Sequence, residues 1–307
     1  KRVEKGDSME QNEIYTALPG VLLPWYEKNA RDLPWRHTKE PYRVWVSEIM
    51  LQQTRVEAVI GYYERFMEAF PTVQALAEAD EARVLKLWEG LGYYSRARNL
   101  QKTAKLLTET QNGAFPDTAE ALEKLPGIGA YTAGAVASIC FEQPAAAVDG
   151  NVLRIIMRMM ADDRPIDLPQ VKKEIREALC KVYPKGHCGA FTQALMELGA
   201  TVCLPNGAPL CGQCPLAEVC LARAAGTTAQ LPQKAKPKPR KLVPVTLALV
   251  ESPAGFLVQQ RPQKGLLAGL WQPVLWEDEH LLQAEVLARL AALGLDTGTA
   301  APAALPA

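Results

Sequence analysis

Leu125-Pro126-Gly127-Ile128-Gly129-Ala130-Tyr131-Thr132 stands between two stretches of helical periodicity, and the fold turns on how it is read. Gly127 and Gly129 let the backbone N–H groups at the start of the following helix approach an anion, for which a DNA phosphate is a natural occupant. The same letters suit a plain helix-turn-helix packing corner, so the surroundings must decide. Working outward, apolar residues recur at intervals of three and four from Tyr15 to about Ala225, as in Val44, Trp45, Ile49, Met50, Val56, Val59 and Ile60. Breaks at Phe70-Pro71-Thr72, Asn112-Gly113, Gln143-Pro144 and Asp167-Leu168-Pro169 divide this region, giving roughly ten short helices.

Two acids stand out against that background. Glu48 lies in Val44-Trp45-Val46-Ser47-Glu48-Ile49-Met50-Leu51, a run otherwise apolar enough to be core, where burial would raise its pKa and make it a general acid. The alternative is a carboxylate at a helix edge, paired with an arginine. Asp149 follows Ala145-Ala146-Ala147-Val148 and precedes Gly150-Asn151-Val152. That context fits a helix N-cap, and a capping Asp can still expose one oxygen to a cleft.

Four of the seven cysteines, Cys203, Cys211, Cys214 and Cys220, give the spacing C-x7-C-x2-C-x5-C. Only one C-x2-C pair is present, which favours an iron-sulfur cluster over the two-pair pattern of zinc sites, with zinc as the alternative. Cys140, Cys180 and Cys188 read as small core residues. The 48% hydrophobic and 22% charged composition is that of an ordinary globular chain long enough for two domains. A net charge of zero means that any binding to DNA must be local rather than global. No apolar run spans a membrane and the start lacks a signal-peptide core, so the expectation is a cytoplasmic protein, with Met9 as the natural start.

Beyond the helices, Pro232 to Pro244 carries four prolines, five cations and no acid, the composition of an extended linker. Val245 to Val250 and Phe256 to Gln260 read as a hairpin about Ser252-Pro253-Ala254-Gly255, followed by a helix from Glu279 to Leu293 and a tail from Gly294 without fixed structure. The organisation expected is a helical domain over 9–231, with the hairpin unit at 119–140 and the cysteine loop at 203–220, a linker over 232–244, and a small domain over 245–307.

These motifs in this order resemble the MutY-type adenine DNA glycosylases of the helix-hairpin-helix superfamily. The supporting stretches are Arg31-Asp32-Leu33-Pro34-Trp35-Arg36, Trp45 to Arg55, Gly92 to Leu100, 125–132, Val148 to Val152 and the cysteine loop. The resemblance implies a mainly α fold of two helical lobes with a [4Fe-4S] loop, plus a partial α+β Nudix-like domain. It implies excision of adenine mispaired with 8-oxoguanine or guanine in double-stranded DNA, the base being flipped into a pocket. Glu48 would protonate the adenine ring, while Asp149 stabilises the cationic sugar and stays ionised through its hydrogen bonds to a helix start. By the same resemblance Tyr131 and Asn151 support the transition state, and Arg31 and Gln193 line the base pocket. Gln53, Thr54, Leu91 and Tyr93 fill or wedge the gap in the duplex, and Arg36, Arg96, Arg98 and the linker cations meet phosphates.

Tyr131 stands where endonuclease III relatives hold a Schiff-base lysine, which predicts base release without strand cleavage; Lys124 reads as a surface residue. The remaining readings are a bifunctional lyase of that kind and a damaged-DNA binder without catalysis. Two departures from the family are visible: seven residues rather than six after Cys203, and a C-terminal domain lacking its second half. The last histidine is His280, and the Phe-Ser-His turn used to sense 8-oxoguanine has no counterpart. Either the chain is a truncated product or it recognises the opposing base through the helical region alone. A monomer without nucleotide-hydrolase activity is expected.

Overall fold

A computed structural model describes residues 7–205, 207–235, 239–262 and 264–295. The chain forms two compact units, Lys1–Lys236 and Pro237–Ala307. Among the described residues the first unit holds twelve α-helices: α1 (Asp7–Asn29), α2 (Pro41–Leu51), α3 (Val56–Ala69), α4 (Val73–Glu78), α5 (Glu81–Trp88), α6 (Ser95–Gln111), α7 (Ala119–Leu122), α8 (Ala130–Phe141), α9 (Gly150–Met159), α10 (Pro169–Cys180), α11 (Cys188–Thr201) and α12 (Leu221–Ala224).

Two apolar cores divide these helices into lobes. One is contiguous in sequence, built on Trp45, Phe66, Trp88, Leu100 and Leu122 from α2 to α8. The other joins the two ends of the unit: Leu18 and Leu22 of α1 pack with Ile156 of α9, Ile175 of α10 and Phe191 of α11. Between them a small cluster of Val44, Ala135, Ile139 and Ala147 seals the junction, with Tyr131 and Met196 against it. Polar side chains set several helix starts. Glu40, just ahead of Pro41, accepts from the backbone N–H groups of Tyr42 and Arg43 and so begins α2. Helix α2 buries Tyr42 and every residue from Val44 to Met50, so Ser47 and Glu48 sit inside the lobe.

The turn between α7 and α8 uses its two glycines differently. Gly127 has φ +74°, and a Cβ there would lie 2.6 Å from that of Asn99, so both conformation and space exclude a side chain. Gly129 caps α8 with ordinary φ and open space around it, so its missing side chain serves whatever approaches from outside.

The second unit is small. Strand β1 (Val245–Ala248) pairs antiparallel with β6 (Val274–Glu277), β2 (Glu251–Ser252) with β3 (Gly255–Phe256), and β4 (Gln259–Gln260) with β5 (Trp271–Gln272), with α13 (Gln283–Ala292) following. It fits a partial α+β domain. The expected pairing of 245–250 with 256–260 forms only next to the turn: Pro253-Ala254 joins two-residue strands, Leu257 N donates to Val250 O, and β1 takes a partner about thirty residues further on. Alternation along one strand does not say which strand lies beside it. The last helix starts four residues later than expected, because Thr246 Oγ1 donates to Glu279 O and accepts from Leu281 N, holding that stretch extended. The tail beyond Leu295 lies outside the described residues. Part of the expected linker is engaged, since Gln233 O accepts from Ile166 N and Asp167 Oδ2 accepts from Ala235 N. No helix among the described residues is long and apolar enough to cross a membrane.

Candidate active site

A cavity of about 180 Å³ opens at the junction of the two lobes, and its walls include Glu48, Tyr131, Asp149, Asn151, Arg31 and Gln193. These residues come from α2, α8, the start of α9, the segment after α1, and α11, so the fold gathers side chains up to 162 positions apart in sequence. Glu48 is 5% exposed, and one of its oxygens, Oε2, accepts a 2.7 Å hydrogen bond from the Tyr131 hydroxyl. Burial pushes the Glu48 carboxyl up to about 7; the Tyr131 bond opposes this shift and the charge of Asp149 adds to it. The Tyr131 phenol, buried and beside two acids, is held well above its ordinary value and keeps its proton. It is therefore a donor, not a base.

Asp149 is the N-cap of α9. Its Oδ1 accepts from the backbone N–H groups of Asn151 (2.9 Å) and Val152 (2.8 Å), and its Oδ2 from the Asn151 side chain (2.7 Å). Burial nevertheless raises its pKa above the ordinary value, the three donors pulling the other way. The hydrogen bonds to a helix start that are expected to keep it ionised are formed, and burial opposes them. Asn151 is in turn held by Arg154, whose Nη2 donates to Asn151 Oδ1 at 2.8 Å and to Gly199 O at 2.7 Å, and whose Nε donates to Cys203 O at 2.7 Å. Helix α11 approaches so closely here that a Cβ on Gly199 would fall 2.5 Å from that of Asn151.

Gln193 Oε1 accepts from Tyr26 at 2.6 Å, which fixes which end of the amide is engaged. Arg31 and Arg36 both reach Glu197, a fully buried acid on α11, at 2.7 and 2.6 Å. Burial pushes Glu197 upward, and the two guanidinium groups outweigh it, so its carboxyl stays below the ordinary range. Arg36 lines the cavity but is tied to this acid and to Arg31 O rather than offered to a phosphate, a correction to its expected role. Glu197 escaped sequence reasoning, although an acid inside Phe191 to Ala200 carries the same signal that singled out Glu48.

The four residues expected at the duplex separate. Thr54 lines the cavity, and Gln53 and Tyr93 are exposed, both with left-handed backbones (φ 58° and 47°). Leu91 is 7% exposed and belongs to the core of the contiguous lobe, so in this conformation it is not presented as a wedge. Arg96 is also buried, its guanidinium taken up by main-chain carbonyls instead of solvent or phosphate. Arg98 pairs with Glu81 at 3.0 Å. Gly127, Gly129 and Lys124 are exposed, and Lys124 is absent from the cavity wall.

Cys203, Cys211, Cys214 and Cys220 line one pocket with Ile155, Met159 and Leu198, and Arg158 Nη1 lies 3.3 Å from Cys203 Sγ. Among the described residues no three His, Cys, Asp or Glu side chains meet closely enough for one metal ion. Of the other cysteines Cys188 is buried, whereas Cys140 and Cys180 are only partly so.

A family model described as HhH-GPD superfamily base excision DNA repair protein matches residues 46–185. The human adenine DNA glycosylase is 40% identical over 328 residues, which covers 89% of this chain and 60% of the relative. The adenine DNA glycosylase of Schizosaccharomyces pombe is 33% identical over 310 residues, covering 81% of this chain and 67% of that protein. The chain belongs to the adenine DNA glycosylase family. It spans about 60% of the length of the first curated adenine DNA glycosylases it matches. Among solved structures, a thermostable thymine-DNA glycosylase aligns with a TM-score of 0.63 at 27% identity, over 70% of this chain and 98% of that one. A non-covalent endonuclease III–DNA complex, at TM-score 0.58 and 24% identity over 70% and 97%, shares the fold. Within the adenine DNA glycosylase family the cavity at the lobe junction is the candidate active site.

Proposed function

We propose that this chain hydrolyses the N-glycosidic bond of adenine mispaired with 8-oxoguanine or guanine in duplex DNA, without cleaving the strand. The observation that carries this reading is the Tyr131 hydroxyl bonded to Glu48 Oε2 in the cavity whose other wall is Asp149 and Asn151. With its carboxyl raised to about 7, Glu48 is part protonated at neutral pH and can give a proton to the adenine ring, so that the base leaves neutral. Asp149, whose carboxylate accepts three hydrogen bonds at the positive end of α9, is placed to face the sugar as positive charge develops there. Two acids in unlike surroundings thus take unlike roles. Gln193 and Arg31 are the pocket groups placed to read the base edge, and Gly129 leaves the start of α8 open for a backbone phosphate.

A β-lyase needs an amine at the sugar. The hairpin position facing the cavity is a tyrosine, and Lys124 stays outside it, which supports a monofunctional enzyme.

The cysteine loop is read as the seat of a [4Fe-4S] cluster. Four thiols around one apolar pocket, with a single C-x2-C pair among them, suit a multi-atom cluster better than the two-pair pattern of zinc sites. Cys203, Cys211, Cys214 and Cys220 would hold it, and the cation of Arg158 beside Cys203 suits a thiolate. Such a group would order the loop that carries Cys203 O, the acceptor of Arg154. Four free thiols in one loop also favour a reducing compartment such as the cytoplasm.

Single-turnover incubation with duplexes holding adenine opposite 8-oxoguanine, adenine opposite guanine, or thymine glycol, followed by alkali, tests the whole reading. Adenine release from the first two without borohydride-trappable complex is expected. Strong trapping, or release of thymine glycol instead, overturns it.

A further inference from the structure

Arg96 is an unusual occupant of a core. It is 9% exposed, and among the described residues its guanidinium meets no carboxylate. Its two terminal nitrogens divide their bonds between two loops. Nη1 donates to Ile49 O (2.9 Å), Met50 O (3.1 Å) and Gln52 O (2.5 Å), the open carbonyls at the end of α2. Nη2 donates to Leu91 O (3.0 Å) and Gly92 O (3.3 Å), with Thr54 Oγ1 at 3.5 Å. The Trp88 and Tyr93 rings flank the group at 5.4 and 5.6 Å, while Nε is buried without a partner.

Burying a cation with no counter-charge is costly, and an apolar side chain would fill such a space at least as favourably. What the guanidinium supplies instead is a planar brace with one arm on each loop. Each braced loop leads directly into an exposed, non-glycine residue with a left-handed backbone: Gln53 after Gln52, and Tyr93, 64% exposed, after Gly92. Such backbone conformations persist only where surrounding contacts impose them. Arg96 is the side chain that contacts both loops at once, with Trp88 Nε1 also donating to Gly92 O (3.0 Å) and Gln52 Nε2 to Thr132 Oγ1 (3.3 Å), and one of the loops continues from the helix that bears Glu48 into Thr54 of the cavity wall.

We infer that Arg96 is a positioning residue that sets the Gln53 and Tyr93 loops at a fixed separation, so that both enter the duplex together when adenine is extruded into the cavity. The inference rests on the proposed base excision and on those two loops meeting DNA. It does not place Arg96 in contact with substrate.

The test compares Arg96→Lys and Gly92→Ala in the full chain. Lysine keeps the charge and loses the fork; alanine at Gly92, where φ is +68° and space is open, strains the second loop without touching the first. Single-turnover rates are measured on adenine opposite 8-oxoguanine in an intact duplex, and on adenine opposite an abasic analogue, where extrusion costs less. Both variants should lose about 100-fold on the intact mispair, the size expected of a misplacement near 1 Å, and less than about 3-fold on adenine opposite the abasic analogue. Retained rates on both substrates, or equal losses on both, overturn the inference, the second because it is what a merely structural role predicts. If Arg96→Lys does not fold, Gly92→Ala alone decides by the same criterion. Parallel measurements on Gln53→Ala and Tyr93→Ala separate the two levels of reading: if neither slows the intact mispair, the assignment of these loops to DNA is what fails.

Discussion

At Glu48 the burial that raises its pKa also weakens the fold at neutral pH. Its carboxyl moves from 4.5 to about 7, so the native state favours the protonated form and loses stability as pH rises across that window. Through this group the protein should be about 3 kcal/mol less stable at pH 8 than at pH 4.5, and Glu48→Gln should remove that difference in urea unfolding. A variant with the same pH dependence as the parent would sink the assignment. Adenine release, which needs the acid form, should fall as pH passes about 7 and vanish in Glu48→Gln while DNA binding survives. Asp149→Asn separates capping from chemistry, because an amide oxygen still accepts from the N–H groups of Asn151 and Val152. Stability should change by less than about 1 kcal/mol while base release collapses. Both acids were legible as carboxylates in apolar surroundings. The fates of Arg36 and Arg96 were not, because a cation's partner is decided by carbonyls and acids that only tertiary contact brings near: Glu197 for one, the end of α2 for the other.

Among elements, α11 carries more of the site than its sequence suggests. It supplies Gln193 and Met196 to the cavity and, through Glu197, anchors the Arg31 to Arg36 segment that forms another wall. Glu197→Gln should cost about 3 kcal/mol, the low end for a broken buried pair because Arg31 is about one-third exposed, and should raise KM for mispaired DNA. Unchanged melting and unchanged KM would show that the segment is held by other contacts. In the cysteine loop, Cys214→Ser should remove the broad visible absorption expected of the protein as purified; a colourless parent protein containing zinc would reverse the cofactor assignment. The helices and their breaks could be read from a period of three to four and from caps such as Glu40 and Asp149. The short strands resisted, since β1 and β6 find each other across some thirty residues and alternation does not name a partner. The burial of Leu91 is hidden for a related reason: a loop leucine looks the same in sequence whether it faces the core or the solvent.

On the scale of the molecule the two units differ greatly in what they bury. The first holds two extensive apolar cores, whereas the second gathers Ala248, Val274 and Leu290 and leaves Leu247, Phe256, Leu266 and Trp271 exposed. A fragment ending at Lys236 should melt cooperatively and release adenine, and the fragment from Pro237 should show no cooperative transition alone. A cooperative melt of the second fragment would contradict this. The joining of α1 to α9, α10 and α11 has a temporal side. Tyr26 meets Gln193 across 167 positions. On a ribosome adding about 5 to 20 residues each second, that helix is made early and stays without its partners for roughly 8 to 33 s, while the stretch from α2 to α8 can collapse as it emerges. The wall that carries Gln193 and Glu197 is thus completed late, and a nascent chain stalled before α11 would hold Glu48 in a cavity that lacks its Gln193 and Met196 side.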